Sequence, residues 1–263
     1  MKWDVRYGPW ALVTGASSGL GAEFVRQIAA RGLNVVLVAR RREKMQALAD
    51  EVERASAVQT RVIPADLTEA GTCTGVAHET RDLEIGLLVN NAGFGLSGDY
   101  PSCDPDRQVN MTVLNCVVPV LLTNHFLPLM LERERGGIIF LASTAAYQAT
   151  PYLGTYGATK AFNLMLGESL WREVHHLGVD SLALSPGFTK TEFQAVANIE
   201  DAGPFREATP DAVVAKGLKS LGKRPSVVHG ALNNLLTFSA RILPRRAIIA
   251  ITGIALKGRA TSS

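Results

Sequence analysis

Cysteine is scarce in this 263-residue chain, and the three present, Cys73, Cys103 and Cys116, form no C-x-x-C. An odd number without paired spacing makes neither a disulfide framework nor a thiolate metal site, and it fits reduced thiols in a cytoplasmic protein. The five histidines include no H-E-x-x-H, and the adjacent His175 and His176 project from different parts of a helix, so no metal site is expected. Aromatic residues are 6% of the chain, no basic stripe runs between them, and the net charge is only +3, which argues against a nucleic-acid partner. The opening M-K-W-D-V-R-Y-G-P carries no apolar run behind its charges, so no signal peptide is expected. Near the other end, the uncharged run 247–256 is too short to cross a bilayer. No Pro/Gly/Ser-rich linker, charge run or internal repeat divides the chain. With 47% apolar and 19% charged residues, a single globular domain over 1–263 is expected.

What the chain does contain is an alternation. Short apolar runs at 10–14, 35–39, 60–65, 85–89, 137–142 and 179–184 are separated by stretches with helical spacing, and 226–229 adds a candidate edge strand. The alternation predicts an α/β protein, a mostly parallel sheet of about seven strands with helices on both faces. Residues 41–55 and 68–83 read as helices, the second weakened by Gly71 and Gly75. The segment 106–133 is apolar on nearly every side, which predicts a buried helix kinked or shortened at Pro119 and Pro128.

The chemically informative residues fall where those strands end, the edge at which open α/β sheets bind ligands. After the first strand comes Gly15-Ala-Ser17-Ser18-Gly19-Leu20-Gly21, a glycine turn opening a helix, suited to a pyrophosphate. Its G-x-x-x-G-x-G spacing is not the common G-x-G-x-x-G. Arg40 follows the second strand, where an acidic residue would bond a ribose 2′-hydroxyl; a cation there pairs with a 2′-phosphate, so NADP(H) is favoured over NAD(H). Arg41 and Arg42 read as the start of a solvated helix, and Ser17 or Ser18 as an added hydroxyl contact. Asp66-Leu67 follows the third strand, Asn90-Asn91-Ala92-Gly93 the fourth, Ser143 the fifth and Pro186-Gly187 the sixth. Tyr156 and Lys160 stand one helical turn apart, and an ammonium beside a phenol lowers the phenol pKa, giving a proton donor and acceptor near neutral pH. A serine at a strand end can hold the oxygen that exchanges this proton.

Together, Thr14-Gly-Ala-Ser-Ser-Gly-Leu-Gly21, Asn90-Asn-Ala-Gly93, Ser143, Tyr156-x-x-x-Lys160 and Pro186-Gly187 resemble the short-chain dehydrogenase/reductase family in order and spacing, over about 10–191. The chain is most similar to bacterial members of its single-domain branch. The resemblance implies a Rossmann-type fold, a nicotinamide cofactor and hydride transfer to or from a carbonyl or alcohol carbon. It implies that Tyr156 is the acid/base, that Lys160 tunes it and bonds the nicotinamide ribose, and that Ser143 holds the substrate oxygen. Asn110 matches the family's fourth active-site member, which supports a proton relay; by itself it reads as a satisfied core amide. Asp66-Leu67 matches the pair at the adenine, and Thr189 or Thr191, with Pro186-Gly187, the surroundings of the nicotinamide. Relatives pair helices across subunits, so a homo-oligomer is expected.

Substrate choice falls to 94–100, 145–155 and the lid 188–208, whose Phe188, Phe193, Val196, Ile199 and Phe205 favour an apolar carbonyl or alcohol. From Ala231 the tail departs from the family core. It has three open placements: over a neighbouring subunit, across the substrate pocket, or on an anionic membrane surface, with packing preferred over the membrane. The rival function is a dinucleotide-binding sensor or scaffold without turnover; epimerase or dehydratase chemistry is disfavoured by the short chain and the glycine spacing.

Overall fold

Seven runs rich in Val, Ile and Leu become seven parallel strands in a computed structural model that describes residues 3–193, 197 and 207–257. They are β1 (Trp10–Thr14), β2 (Asn34–Ala39), β3 (Thr60–Pro64), β4 (Ile85–Asn90), β5 (Gly136–Leu141), β6 (Val179–Ser185) and β7 (Ser226–Val228). Their order across the sheet is β3-β2-β1-β4-β5-β6-β7, a doubly wound Rossmann-type sheet whose order reverses between β1 and β4. Register aligns the strand ends: Thr14 pairs with Val38 of β2, and Val13 with Val89 of β4. Gly15, Arg40 and Asn90 therefore share one edge.

The helices are α1 (Trp3–Tyr7), α2 (Gly19–Ala29), α3 (Arg42–Ser56), α4 (Thr72–Glu79), α5 (Pro105–Thr112), α6 (Val118–Glu132), α7 (Gly154–Val174), α8 (Pro210–Ser220), α9 (Ala231–Ile242) and α10 (Arg245–Lys257). On one face of the sheet, Phe24 and Ile28 of α2, Met45 of α3 and Leu218 of α8 bury against Val13, Leu37 and Leu182. On the other, Leu122, Phe126 and Met130 of α6 pack on Leu12, Leu88 and Phe140. Each such side chain contributes about 1.5–3 kcal/mol of burial. That is why the strands read as continuous apolar runs rather than alternating ones.

Three features differ from the sequence reading. The helix expected over 68–83 is confined to Thr72–Glu79: Gly71 enters it at φ 81, and before it Asp66 accepts from both the amide and hydroxyl of Thr68. The N-terminal helix α1 was not foreseen. It is anchored by Asp180 at the start of β6, fully buried, which accepts from Arg6 (2.6 Å) and Tyr7 (2.7 Å) and lies 3.0 Å from His175 Nδ1.

The third is the long helix. It runs through Pro128, and its irregularity is a π-helical turn at Val113–Val117 just ahead of Pro119. Proline has no N–H to give the carbonyl four residues back, which belongs to Asn115. That carbonyl accepts instead from Asn163 Nδ2 at 2.8 Å. Pro105–Glu132 is long and apolar enough by length and composition to cross a bilayer, but Val118, Leu122, Phe126 and Met130 are spent on the sheet.

Candidate active site

The glycine turn is shaped by its backbone. Gly15 and Gly19 have φ of 66° and 55°, in the left-handed region that favours glycine. Gly21 is needed for a different reason: a Cβ there would lie 2.1 Å from the Gly15 carbonyl oxygen. Ser18 stands at the N-cap of α2 without capping it by its side chain, and no acidic residue sits in the first turn. The helix thus presents free N–H groups and its positive dipole end beside a bare backbone, a donor set that fits a pyrophosphate. Leu20 packs against the core beneath.

The Asn90–Gly93 segment is pinned to the end of β1. The Thr14 hydroxyl accepts from the amides of Asn91 and Ala92, each at 3.0 Å, and Asn91 Nδ2 donates to the Thr14 carbonyl at 2.8 Å. Asn90 is buried, and its Oδ1 has no partner among the described residues. Leu67 is a core side chain, and Asp66 faces Arg40 at 3.6 Å.

Arg40 itself is 77% exposed. The cation turned onto the glycine loop is Arg41, which donates to Ser17 Oγ (3.2 and 3.1 Å) and to Ser18 Oγ (2.6 Å). The reading of Arg41 as a merely solvated helix start is corrected here. Residues 17–18 and 41 are far apart in sequence, and the parallel pairing of β1 with β2 sets them side by side.

At the end of β5, Ser143 caps a short 3-10 turn (Thr144–Tyr147) by accepting from the Ala145 amide at 3.1 Å, and its hydroxyl is near enough to Tyr156 to draw the phenol pKa downward. Tyr156 and Lys160, both buried, lie on the first two turns of α7. The Lys160 ammonium donates to the Leu141 carbonyl at 2.8 Å and lies 5.8 Å from the centre of the Tyr156 ring. The expected lowering of the tyrosine pKa is reversed. Burial pushes Tyr156 up to about 12, only partly offset by Ser143, and pushes Lys160 down to about 8. Desolvation dominates because both side chains are almost wholly removed from water.

Asn110 is not brought to this pair. Its side chain is exposed on α5. Five residues on, Asn115 is 1% exposed: its Nδ2 donates to Thr159 Oγ1 (2.9 Å) and to the Phe94 carbonyl (3.0 Å), and its Oδ1 accepts from the Phe94 amide (3.2 Å). A Cβ on Gly93 would lie 2.7 Å from Asn115 Oδ1 and 3.5 Å from the Lys160 ammonium. Between Asn110 and Asn115, the one buried at the site is therefore Asn115. The available signal was Pro119 four residues later, which frees a carbonyl in the helix.

Beyond β6, the Pro186 carbonyl accepts from the Thr144 amide at 2.9 Å, tying the ends of β5 and β6 together. Gly187 lies against Asn233 of α9, so close that a Cβ would come 2.4 Å from its Nδ2. Thr189 pairs with Ala208 in an isolated parallel bridge, and Thr191 lies over Gly19. Of the expected lid, Phe188 and Phe193 are observed, whereas Val196, Ile199 and Phe205 lie outside the described residues.

Around Tyr156 an apolar cluster gathers Leu96, Met111, Leu153 and Ala197, flanked by Phe94, Phe188, Phe193 and Leu256. The Phe193 ring lies 5.4 Å from the Tyr156 ring. Leu256 belongs to the tail and was not foreseen as a site residue. Helix α10 reaches the site because Thr252 donates to the Ala149 carbonyl (3.0 Å), and α9 because Arg241 stacks over Tyr147 at 5.6 Å. Within the chain, the described part of the tail (231–257) touches Tyr147, Ala149, Gly187 and the cluster around Tyr156.

The short chain dehydrogenase family model matches residues 9–202, and the chain belongs to that family. It is an oxidoreductase acting between CH–OH and C=O, of a family that binds a nicotinamide cofactor. The chain is 33% identical over 242 residues to a 7beta-hydroxysteroid dehydrogenase of Collinsella aerofaciens, covering 89% of this chain and 90% of that protein. A solved 7beta-hydroxysteroid dehydrogenase superposes with a TM-score of 0.88 at 28% identity, over 96% of this chain and 100% of that one. A short-chain dehydrogenase from Sphingobium yanoikuyae in complex with NADPH superposes with a TM-score of 0.79 at 31% identity, over 89% of this chain and 94% of that one.

Proposed function

We propose that the protein is an NADP(H)-dependent reductase of a bulky, apolar ketone, of the size of a fused-ring or steroid skeleton, or a dehydrogenase of the corresponding secondary alcohol. The observation that carries this reading is the position of the Tyr156 hydroxyl. Ser143 neighbours it on one side, and the Tyr156 side chain packs in the cluster of Leu96, Met111, Leu153, Phe193 and Leu256 on the other. The Collinsella and Sphingobium relatives, by what they act on and bind, support the substrate class and the cofactor respectively.

The chain holds the cofactor with the turn of Gly15, Ser17, Ser18, Gly19, Leu20 and Gly21 at the phosphates, and with Arg41, Arg40 and the two serines at the 2′-phosphate. Asp66-Leu67 sits at the adenine. Asn90–Gly93 and Pro186-Gly187, with Thr189 and Thr191, line the nicotinamide half, and Lys160 bonds its ribose. When bound, NADPH supplies the hydride. The protein supplies the proton: a Tyr156 raised to about 12 stays protonated at neutral pH and can give its proton to a developing alkoxide, which is more basic still. The Ser143 hydroxyl holds the same oxygen, and its orientation is already set by the Ala145 amide. Asn115, rather than Asn110, carries the supporting role at the lysine.

Apolar side chains exposed on α6 and α7, Leu121, Leu129, Phe162 and Met165, support a homo-oligomer, and we place the protein in the cytoplasm as a single domain. NADPH oxidation measured against cyclohexanone, decalone and a keto-steroid tests the function. Turnover that rises with ring number supports it, and NADPH binding without oxidation of any ketone would favour a sensor instead.

A further inference from the structure

The cations beyond β2 already hold an anion, and it comes from the chain itself. Glu192, shortly after β6, places its carboxylate 2.8 Å from the Arg41 guanidinium and 2.9 Å from the Lys44 ammonium. The Ser18 hydroxyl is near enough to the same carboxylate to help hold its pKa down. Arg41 in turn donates to Ser17 and Ser18, so the carboxylate closes a ring of two cations and two hydroxyls at the mouth of the glycine turn. Glu192 is half exposed, and 148 residues separate it from Lys44, so the fold alone makes this contact. Two cations with two hydroxyls are a donor set that suits a phosphate monoester.

We propose that Glu192 is a built-in occupant of the subsite for the cofactor's 2′-phosphate, and that the phosphate must displace it. This rests on the NADP(H) reading above, in which Arg41, Arg40, Ser17 and Ser18 receive that phosphate. A phosphate dianion and a carboxylate cannot both be satisfied by Arg41, and the two anions repel each other. The phosphate offers more charge and more acceptor oxygens, so it wins the site, and Glu192 gives up its two exposed ion pairs to solvent. A cofactor lacking the 2′-phosphate has nothing to displace. Glu192 therefore narrows the margin by which the protein prefers NADP(H) to NAD(H), and it does so without touching substrate or the reacting atoms.

Binding of cofactor fragments tests this apart from turnover. Titration calorimetry compares 2′,5′-ADP with 5′-AMP on the full chain, its Glu192→Gln variant and its Arg41→Ala variant. Loss of two exposed ion pairs corresponds to an expected tightening of 2′,5′-ADP by Glu192→Gln of about threefold to tenfold. The affinity for 5′-AMP stays the same, and Arg41→Ala sharply reduces the preference for 2′,5′-ADP. Unchanged or weaker 2′,5′-ADP binding in Glu192→Gln overturns the proposal and leaves the reductase reading standing. Full preference retained in Arg41→Ala overturns it as well, since the phosphate would then bind elsewhere. A parent chain with no preference for 2′,5′-ADP over 5′-AMP overturns both this proposal and the NADP(H) assignment.

Discussion

Asn115 donates its side-chain amide to the Thr159 hydroxyl at 2.9 Å, and that hydroxyl donates to the backbone carbonyl of Tyr156 at 2.8 Å. A buried amide in a π-helical turn is thus linked through one hydroxyl to the backbone of the proposed proton donor. Asn115→Ala leaves the Phe94 carbonyl and amide without their partner, at about 1–3 kcal/mol of stability. It also loosens the seat of Tyr156, lowering kcat by at least about tenfold. Asn110→Ala, at an exposed position, changes stability by no more than about 0.5 kcal/mol and leaves kcat intact. Steady-state kinetics beside thermal melts of the two variants separate these outcomes; equal loss in both would refute the assignment.

Tyr156→Phe removes the proton donor while keeping the ring that packs against Phe193. Reductase activity should fall by about 10²–10⁴-fold with NADPH binding retained. Substantial residual activity in this variant would remove Tyr156 from the mechanism.

The pH profile of reduction follows from burial. Lys160, pushed down to about 8, loses its charge as pH rises through that value, while Tyr156, pushed up to about 12, keeps its proton throughout the working range. The kcat/KM for NADPH at saturating ketone should therefore be level below about pH 8 and decline above it. A rate that climbs from pH 7 to 9 contradicts this.

Leu256 tests the tail. Leu256→Ala opens the apolar cluster from the side of α10, and lost contact with a large ring system costs on the order of tenfold in kcat/KM. The small ring of cyclohexanone should be turned over as before. Equal losses for both ketones would mean that the tail acts on folding rather than on substrate.

At the far end of the sheet, Asp180 governs stability. Burial alone would raise its pKa, but hydrogen bonds from Arg6 and Tyr7 outweigh it and hold the carboxyl below its ordinary range. A depressed folded pKa contributes stability that is present above about pH 4 and lost as pH falls through the folded value. Asp180→Ala should cost about 3 kcal/mol in urea unfolding at pH 7, and the gap to the parent should narrow in acid. A variant as stable as the parent at pH 7 would show the cluster to be dispensable.

Fold and site were legible in the sequence to unequal depth, and the division follows the range of the forces. Strand positions, the glycine turn and the one-turn spacing of Tyr156 and Lys160 are local matters: apolar runs bury on both faces, glycine admits positive φ, and a helix turn has fixed length. These the sequence determined by itself, and with them the family. The choice between Asn110 and Asn115 depends on which way a helix faces after a π-helical turn. The choice between Arg40 and Arg41 depends on what β1 sets beside β2. The rise of Tyr156 and the fall of Lys160 depend on how completely packing removes water from them, and the placing of Leu256 on where α10 docks. Only the tertiary structure decided these, because burial and facing are sums over distant neighbours that no spacing along the chain records.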